Sequence, residues 1–208
     1  VTETSPGRRE LNRARTHEAI VAALRSLVAE LPAELITVEQ VAERAGVSRR
    51  TFFNYFGSIP VALSAVFAEH AAGMIAGLDA EQIRTDPVTA LRRLVQEDGI
   101  PPDFLGWLSD LNCHGQGTDG RMLLERTVWA EMAAWLREQL HTLLPDADPL
   151  FVSTLSSGVM SCFQAAEEAW TEDPDRPEPL SDADIEAFHR HLDRALGLLA
   201  SGWRSPHV

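Results

Sequence analysis

The sequence predicts an all-α protein: a three-helix helix-turn-helix domain at the N-terminus, followed by a C-terminal helical bundle of about six helices. Three observations predict this class. Apolar residues recur at spacings of three and four along the chain, and no stretch shows the period of two that a half-buried strand requires. Hydroxyl residues stand ahead of several of these runs, where a helix needs a side-chain cap. Two short apolar runs are joined by Gly46-Val47-Ser48, the pattern of two helices meeting at a tight turn.

The first helix is expected to begin near Arg13–Thr16, with Ile20, Ala23, Leu24, Leu27 and Leu31 as its apolar stripe and Pro32 closing it. Residues 1–12 precede it as a flexible arm. Thr37 then stands as an N-cap, with Gln40 three residues on completing a capping box. Val38, Val41, Ala42 and Ala45 share one face of the second helix, which Gly46 ends by taking the left-handed conformation. Ser48 caps a short third helix that runs to about Tyr55. Ser58 with Pro60 opens a fourth, through Leu63, Val66, Phe67, His70 and Met74 toward Leu78.

A fifth helix is expected over Pro87 to Glu97 and a sixth over Asp103 to Asn112, followed by a glycine-rich loop from His114 to Gly120. The seventh, Arg121 to Leu144, presents Met122, Trp129, Met132, Leu136, Leu140 and Leu143. The eighth starts after Pro149 and continues to about Trp170. Glu172 to Leu180 is acidic and proline-rich, hence a loop. Ser181 caps the last helix, which carries Ile185, Phe188, Leu192, Leu196, Leu199 and Trp203.

Charge is divided unevenly along the chain. Residues 1–57 hold eight Arg and seven Glu, a net of +1, so the remainder carries −14 of the total of −13. The acidic body would be repelled by a polyanion, and only the N-terminal segment is suited to approach phosphate. All 18 basic residues are Arg. No uninterrupted apolar run approaches the ~18 residues that span a bilayer. No apolar segment follows the polar Val1–Asn12, so no signal peptide and no membrane partner are expected, and the expected location is the cytoplasm. Cys113 and Cys162 read either as two small buried hydrophobes or as a pair.

The stretch from Thr37 to Tyr55 has the logic of a helix-turn-helix. Val38, Val41, Ala42, Ala45, Val47 and Phe52 would fix the crossing of the two helices. Ser48, Arg49, Arg50, Thr51 and Asn54 are left on the outer face. Arg suits guanine edges, Asn pairs with adenine, and helix N-termini suit phosphate. Taken from the residues alone, a structural helix pair with a solvated Arg-Arg face is the alternative, and the less favoured one.

Residues 13–63 closely resemble the N-terminal domain of the TetR family of repressors. The matching pieces are Thr37, Val41-Ala42, Ala45-Gly46-Val47-Ser48, Thr51-Phe52-Phe53-Asn54-Tyr55-Phe56 and Ser58, with Leu63 beyond. The resemblance covers about a quarter of the chain; the body matches in length and helical pattern only. It implies a TetR-like fold divided into a DNA-binding domain over 13–57 and a ligand-binding and dimerisation domain over 58–208. It assigns double-stranded DNA to Thr37, Ser48, Arg49, Arg50, Thr51, Phe53, Asn54, Tyr55 and Ser58. Two residues depart from the family pattern: Phe53 replaces the usual Tyr and Ile59 the usual Lys, both weakening phosphate anchoring. Arg49, Arg50 and Tyr55, with Arg8, Arg9, Arg13 and Arg15, are the expected compensation.

The same resemblance implies a homodimer on a palindromic operator, released by a small apolar ligand. The expected dimer faces are Ser153, Ser157, Met160 and Gln164 on the eighth helix and Ile185, Phe188, Leu192 and Leu199 on the last. On the other face of the eighth lie Val152, Leu155, Val159, Phe163 and Trp170. Pocket candidates are Phe104, Trp107, Leu108, Met122, Glu125, Trp129, Met132 and Phe163, each of which reads alternatively as plain core. Glu125 calls for a partner on its apolar face, either Arg121 or Arg92 or a ligand amine.

No catalytic site, metal site or cofactor is expected. Cys113 and His114 are chain neighbours, and His189 and His191 lie two residues apart on different helix faces. An activator of the same fold, or a helical protein–protein adaptor with degenerate DNA binding, are the alternatives to a repressor.

Overall fold

The computed structural model describes residues 7–113, 119–171 and 180–202, and among these it contains ten α-helices and no strand. By packing, the chain divides into two compact units. One holds the residues up to Val66 together with Asp110–Val128, the other Phe67–Ser109 together with the residues from Trp129 on.

In the first unit, α1 spans Arg8–Val28 and so begins well before Arg13–Thr16. The Glu10 carboxylate accepts the Gly7 N–H at 3.0 Å, and the amides of Glu10 and Leu11 donate to the Gly7 carbonyl at 2.8 and 3.1 Å. Residues 8–12 are therefore helical, not part of an arm. No apolar stripe marks this turn, since Leu11 is exposed, so periodicity could not reveal it. The helix buries Ile20, Val21, Ala23, Leu24, Leu27 and Val28. It ends at Val28, ahead of Pro32, which instead opens a 3-10 turn over Ala33–Leu35.

α2 spans Val38–Arg44 and α3 Arg49–Tyr55, as the caps predict. The Thr37 hydroxyl accepts the Gln40 amide at 3.3 Å, while the Gln40 side chain accepts the Thr37 N–H at 2.8 Å. Such a cap is worth about 1 kcal/mol. At the other end the Val47 amide donates to the Ala42 carbonyl and the Gly46 amide to the Glu43 carbonyl, with Gly46 at φ 66°. This pair of bonds turns the chain sharply into α3 and requires a residue that tolerates positive φ. Fully buried Phe52 and nearly buried Phe56 anchor α3 on the core.

α4, Ile59–Ala76, starts in the first unit and ends in the second, stopping before the expected Leu78. By length and composition it is apolar enough to cross a membrane, with a mean hydropathy of 1.5, although a third of it is buried within the protein. The expectation of no such segment overlooked it because Ser64, Glu69 and His70 interrupt the run. Much of its apolarity is small residues; Ala72, Gly73 and Ala76 are exposed.

In the second unit, α5 (Ala80–Thr85) was not expected. It is only one and a half turns long, with the single apolar anchor Ile83, and is started by the Asp79 carboxylate accepting the Gln82 amide at 2.9 Å. The body thus has seven helices counted from α4. α6 spans Pro87–Glu97 as expected, capped by Asp86. α7 is Pro102–Cys113, α8 Asp119–Leu143 and α9 Pro149–Thr171. Asp119 and Gly120 open α8, although Gly120 was expected in a loop; residues 114–118 of that loop and 172–179 of the later one lie outside the described residues. α10 spans Asp182–Ala200 and stops at Ser201-Gly202; Trp203, expected in this helix, lies outside the described residues.

α10 is fastened at both ends. The Trp170 indole N–H donates to the Asp184 carbonyl at 2.9 Å, and Phe188 meets Trp170 edge-on at 5.3 Å. Farther along, Arg92 of α6 makes a bidentate pair with Asp193, both contacts 3.0 Å, and Gln96 adds a third bond at 2.8 Å. The Asp193 carboxyl is held below the usual carboxylate range, first by the hydrogen bond from Arg92 and then by its charge. Between these, the Ile100 amide donates to His189 Nε2 at 2.8 Å, fixing the turn after α6 to α10.

Candidate nucleic-acid interface and an apolar cavity

In the first unit, α2 and α3 present their polar side chains with unequal freedom. The hydroxyl of Thr37 is committed to its cap, and that of Ser48 accepts the Thr51 amide at 3.0 Å and pairs with the Thr51 hydroxyl at 2.8 Å. Arg49 pairs with Glu39 of α2 at 2.8 Å, both side chains being more than half exposed. Arg50 is exposed and has no ion-pair partner among the described residues, and Asn54 is exposed beside it in the helix. Phe53, 50% exposed, is braced edge-on against Phe52 with ring centroids 5.6 Å apart. Tyr55 and Ser58 are half-buried, and Ser58 Oγ accepts the Val61 amide at 3.4 Å as α4 begins.

A reader of base edges needs exposed side chains on a rigid helix, and α3 has both. Its rigidity rests partly on pairs that sequence reasoning missed. Glu30, two residues past the end of α1, receives Arg44 of α2 in a bidentate pair at 2.6 and 2.8 Å, and Ser26 of α1 accepts a further bond from Arg44 at 2.7 Å. This holds the Glu30 carboxyl below its ordinary range, chiefly through the hydrogen bond from Arg44. His17 of α1 lies on Phe56, ring centroids 5.0 Å apart. Arg8, Arg9, Arg13 and Arg15 are exposed along the first turns of α1, presented by a helix and not by a loose arm.

Residues 20–59, from the middle of α1 to the first residue of α4, match the model of a family described as bacterial regulatory proteins, tetR family. This segment is a TetR-family helix-turn-helix domain. Such a domain supports a TetR-type transcriptional regulator, and α3 is the second helix of its helix-turn-helix. Among curated proteins none matches the chain. The match ends where the family's usual Lys is replaced by Ile59, half-buried at the start of α4.

The second unit contains an apolar cavity that is partly open to solvent, with about 630 Å³ of space between its atoms, open solvent included. From α4 come Phe67, His70, Ala71, Met74 and Ile75, which fall at i, i+3, i+4, i+7 and i+8 and so form one helical stripe. Leu91, Leu94 and Val95 of α6, Ile100, Pro101 and Phe104 around the start of α7, and Trp135 and Leu136 of α8 continue the wall. Val159, Met160 and Phe163 of α9 and Leu196 of α10 close it. No Asp, Glu, Lys or Arg is among the lining residues, and His70 is the one imidazole on the wall.

Of the expected pocket residues, Phe104 and Phe163 line this cavity. Trp107, Leu108 and Met132 are buried but lie outside the lining, and Trp129 is half-buried. Met122 is 55% exposed and so is no pocket residue. Glu125 is half-buried in the first unit, Arg92 of the second unit pairs with Asp193, and the side chain of Arg121 lies outside the described residues. On α8 the inward phase is Val128, Met132, Leu136 and Leu140, which brings Trp135 to the cavity where Trp129 was expected.

The expected dimer faces also need correction. Met160 is buried and lines the cavity, and Phe188 and Leu192 are fully buried within the unit, so none of the three lies on an outer face. The long contact of α10 with α9 and α6 consumes the seam that a heptad pattern had suggested for a partner. Leu199 rests on Gly158, where a Cβ would meet it at 3.2 Å. Ser157 and Gln164 are exposed, and Ser153 and Ile185 half-buried. Near them stand two exposed apolar residues that sequence reasoning passed over, Leu150 and Phe151 at the start of α9. Cys162 is buried among apolar neighbours, which pushes its thiol pKa up, and the side chain of Cys113 lies outside the described residues.

Proposed function

We propose that the protein is a dimeric repressor that binds a palindromic operator and is released from it by a small apolar ligand. The observation that carries this reading is the course of α4. It opens a few residues after the recognition helix, and its later turns line the apolar cavity. A ligand that prefers one position of α4 would alter the affinity for DNA by that preference, typically about 1–3 kcal/mol.

In this reading the DNA domain is residues 13–57 and the ligand and dimer domain is 58–208. Arg50, Phe53 and Asn54, the exposed residues of α3, meet base edges. Thr37, Ser48, Arg49, Thr51, Tyr55 and Ser58 support the helix and the backbone contacts. A second copy covers the outer face of α9 at Ser153, Ser157 and Gln164, together with Leu150, Phe151 and the half-buried Ile185 of α10. A two-fold dimer places half-sites about 34–36 Å apart, or a multiple of that. The protein acts by binding alone, in the cytoplasm where its DNA lies.

The test is a salt titration of binding to DNA from upstream of the gene, with random DNA as competitor and light scattering for the mass of the complex. Competitor-resistant binding of two copies with a steep salt slope supports the reading. Equal, weak binding to both DNAs refutes a specific operator there and favours the adaptor alternative.

A further inference from the structure

One hydrogen-bond donor behind the cavity wall has no acceptor among the described residues. Trp107 is 5% exposed, and its indole N–H is buried and unpartnered. The other fully buried tryptophan, Trp170, donates to the Asp184 carbonyl at 2.9 Å. A buried N–H without an acceptor is rare because its lost hydration is uncompensated.

Trp107 stands one turn along α7 from Phe104, which does line the cavity. The two rings lie 5.7 Å apart at 37°. Phe104 is in turn met edge-on by Phe67 at 5.3 Å, and Phe67 by Trp135 and Phe163 at 5.9 and 6.1 Å. The wall therefore includes a cluster of flat apolar rings, and the ring that carries the orphan donor packs against one of them. A charged ligand would lose its hydration there with no carboxylate, ammonium or guanidinium on the wall to replace it. A flat, uncharged one would stack on the rings.

We propose that the ligand of this cavity is an uncharged, largely aromatic molecule carrying a hydrogen-bond acceptor, which the Trp107 indole N–H receives when the Phe104 ring turns aside. This rests on the reading of the cavity as the ligand site. The acceptor supplies the bond that the folded chain withholds from Trp107, so it adds affinity without breaking an existing contact.

The test uses matched probes, acetylnaphthalene and isopropenylnaphthalene, which share shape but differ in the carbonyl oxygen. Calorimetric titration without DNA is made on the full chain and on Trp107→Phe. The expected result is that the ketone binds wild type about tenfold tighter than the hydrocarbon. In Trp107→Phe that advantage disappears while hydrocarbon affinity is unchanged, and naphthoate binds neither protein. A second readout needs no variant: the Trp107 indole proton resonance of the wild type moves downfield with the ketone and not with the hydrocarbon.

Binding of both probes with no ketone advantage, or with an advantage that survives Trp107→Phe, overturns the role of Trp107 while leaving the cavity as a ligand site. Failure of both neutral probes to bind wild type overturns the proposal and the cavity reading together. Loss of DNA binding in the salt titration, with the probe pattern intact, would instead remove the operator reading alone.

Discussion

The turn between α6 and α7 is where a small substitution should have a large and separable effect. Gly99 sits at φ 70°, and a Cβ built there would lie 3.0 Å from His189 Cε1. Gly99→Ala therefore imposes two costs. The left-handed backbone costs a residue with a Cβ about 1 kcal/mol. Displacing the imidazole weakens the 2.8 Å bond from the Ile100 amide to His189 Nε2, and Ile100 is buried, so its N–H has no water to turn to. That loss costs about 1–2 kcal/mol. Together they give about 2–3 kcal/mol, or a melting point lower by roughly 5–10 °C in a chain of this size. Gly46 is the control: φ is 66°, but nothing lies within 4 Å of a Cβ. Gly46→Ala should cost only the backbone part, about 1 kcal/mol. A double-mutant cycle isolates the rest, because Gly99→Ala in a His189→Ala background should fall to the cost of the control. Urea unfolding followed by circular dichroism measures all five proteins, wild type included. If Gly99→Ala costs the same with and without the imidazole, the contact with His189 contributes nothing and the reasoning is wrong.

Other perturbations separate the functional residues from their supports. Arg50→Ala should lower the slope of log affinity against log salt by about one, or relax base preference, whereas Arg49→Ala, already paired with Glu39, should chiefly loosen the domain by less than about 1 kcal/mol. Asp193 has a lowered native pKa, so its pairing with Arg92 contributes stability above the unfolded value of about 3.9 and loses it as pH falls through the lower native value. Wild type should therefore exceed Asp193→Asn by about 1 kcal/mol at neutral pH after allowing for solvent screening, with the gap closing below about pH 4. The buried Cys162 thiol should remain unlabelled by a thiol reagent in the native protein and react on unfolding, as peptide mapping reads directly. Gly73 is exposed in the interior of α4 with open space where a Cβ would go, so Gly73→Ala should stabilise by about 0.5–1 kcal/mol.

Local chemistry was legible in the sequence and long-range pairing was not. Thr37 with Gln40, Ser48 with Thr51, Gly46, and Ser181 with Asp184 act within three or four residues, so the sequence displays both partners of each cap together. The pairs that brace the domains cannot be seen this way: Arg44 with Glu30 is 14 residues apart, Ile100 with His189 is 89, and Arg92 with Asp193 is 101. Any carboxylate in the acidic body would have served equally well on paper. The cavity suffered a different loss. A stripe on α8 defines a face only to within a fraction of a turn, enough to exchange Trp129 for Trp135. On α10 the apolar seam was read correctly as buried but assigned to the wrong neighbour, because a pattern records that a face is covered and not what covers it.

The apolar character of the cavity also bounds how little movement regulation would need. With no Asp, Glu, Lys or Arg on the wall, a ligand can discriminate between two conformations mainly through the apolar surface each one covers. A coupling of about 1–3 kcal/mol corresponds, at ~25 cal/mol per Å², to roughly 40–120 Å² more apolar surface buried in one conformation than in the other. That is less than one aromatic side chain, which buries about 150–250 Å². The swing of a single ring such as Phe104, or a slight displacement of the α4 stripe that carries Phe67, Met74 and Ile75, is then sufficient. A wholesale opening of the bundle would be excessive: it would expose the Phe67–Phe163 cluster to water and cost more than any ligand preference of this size returns.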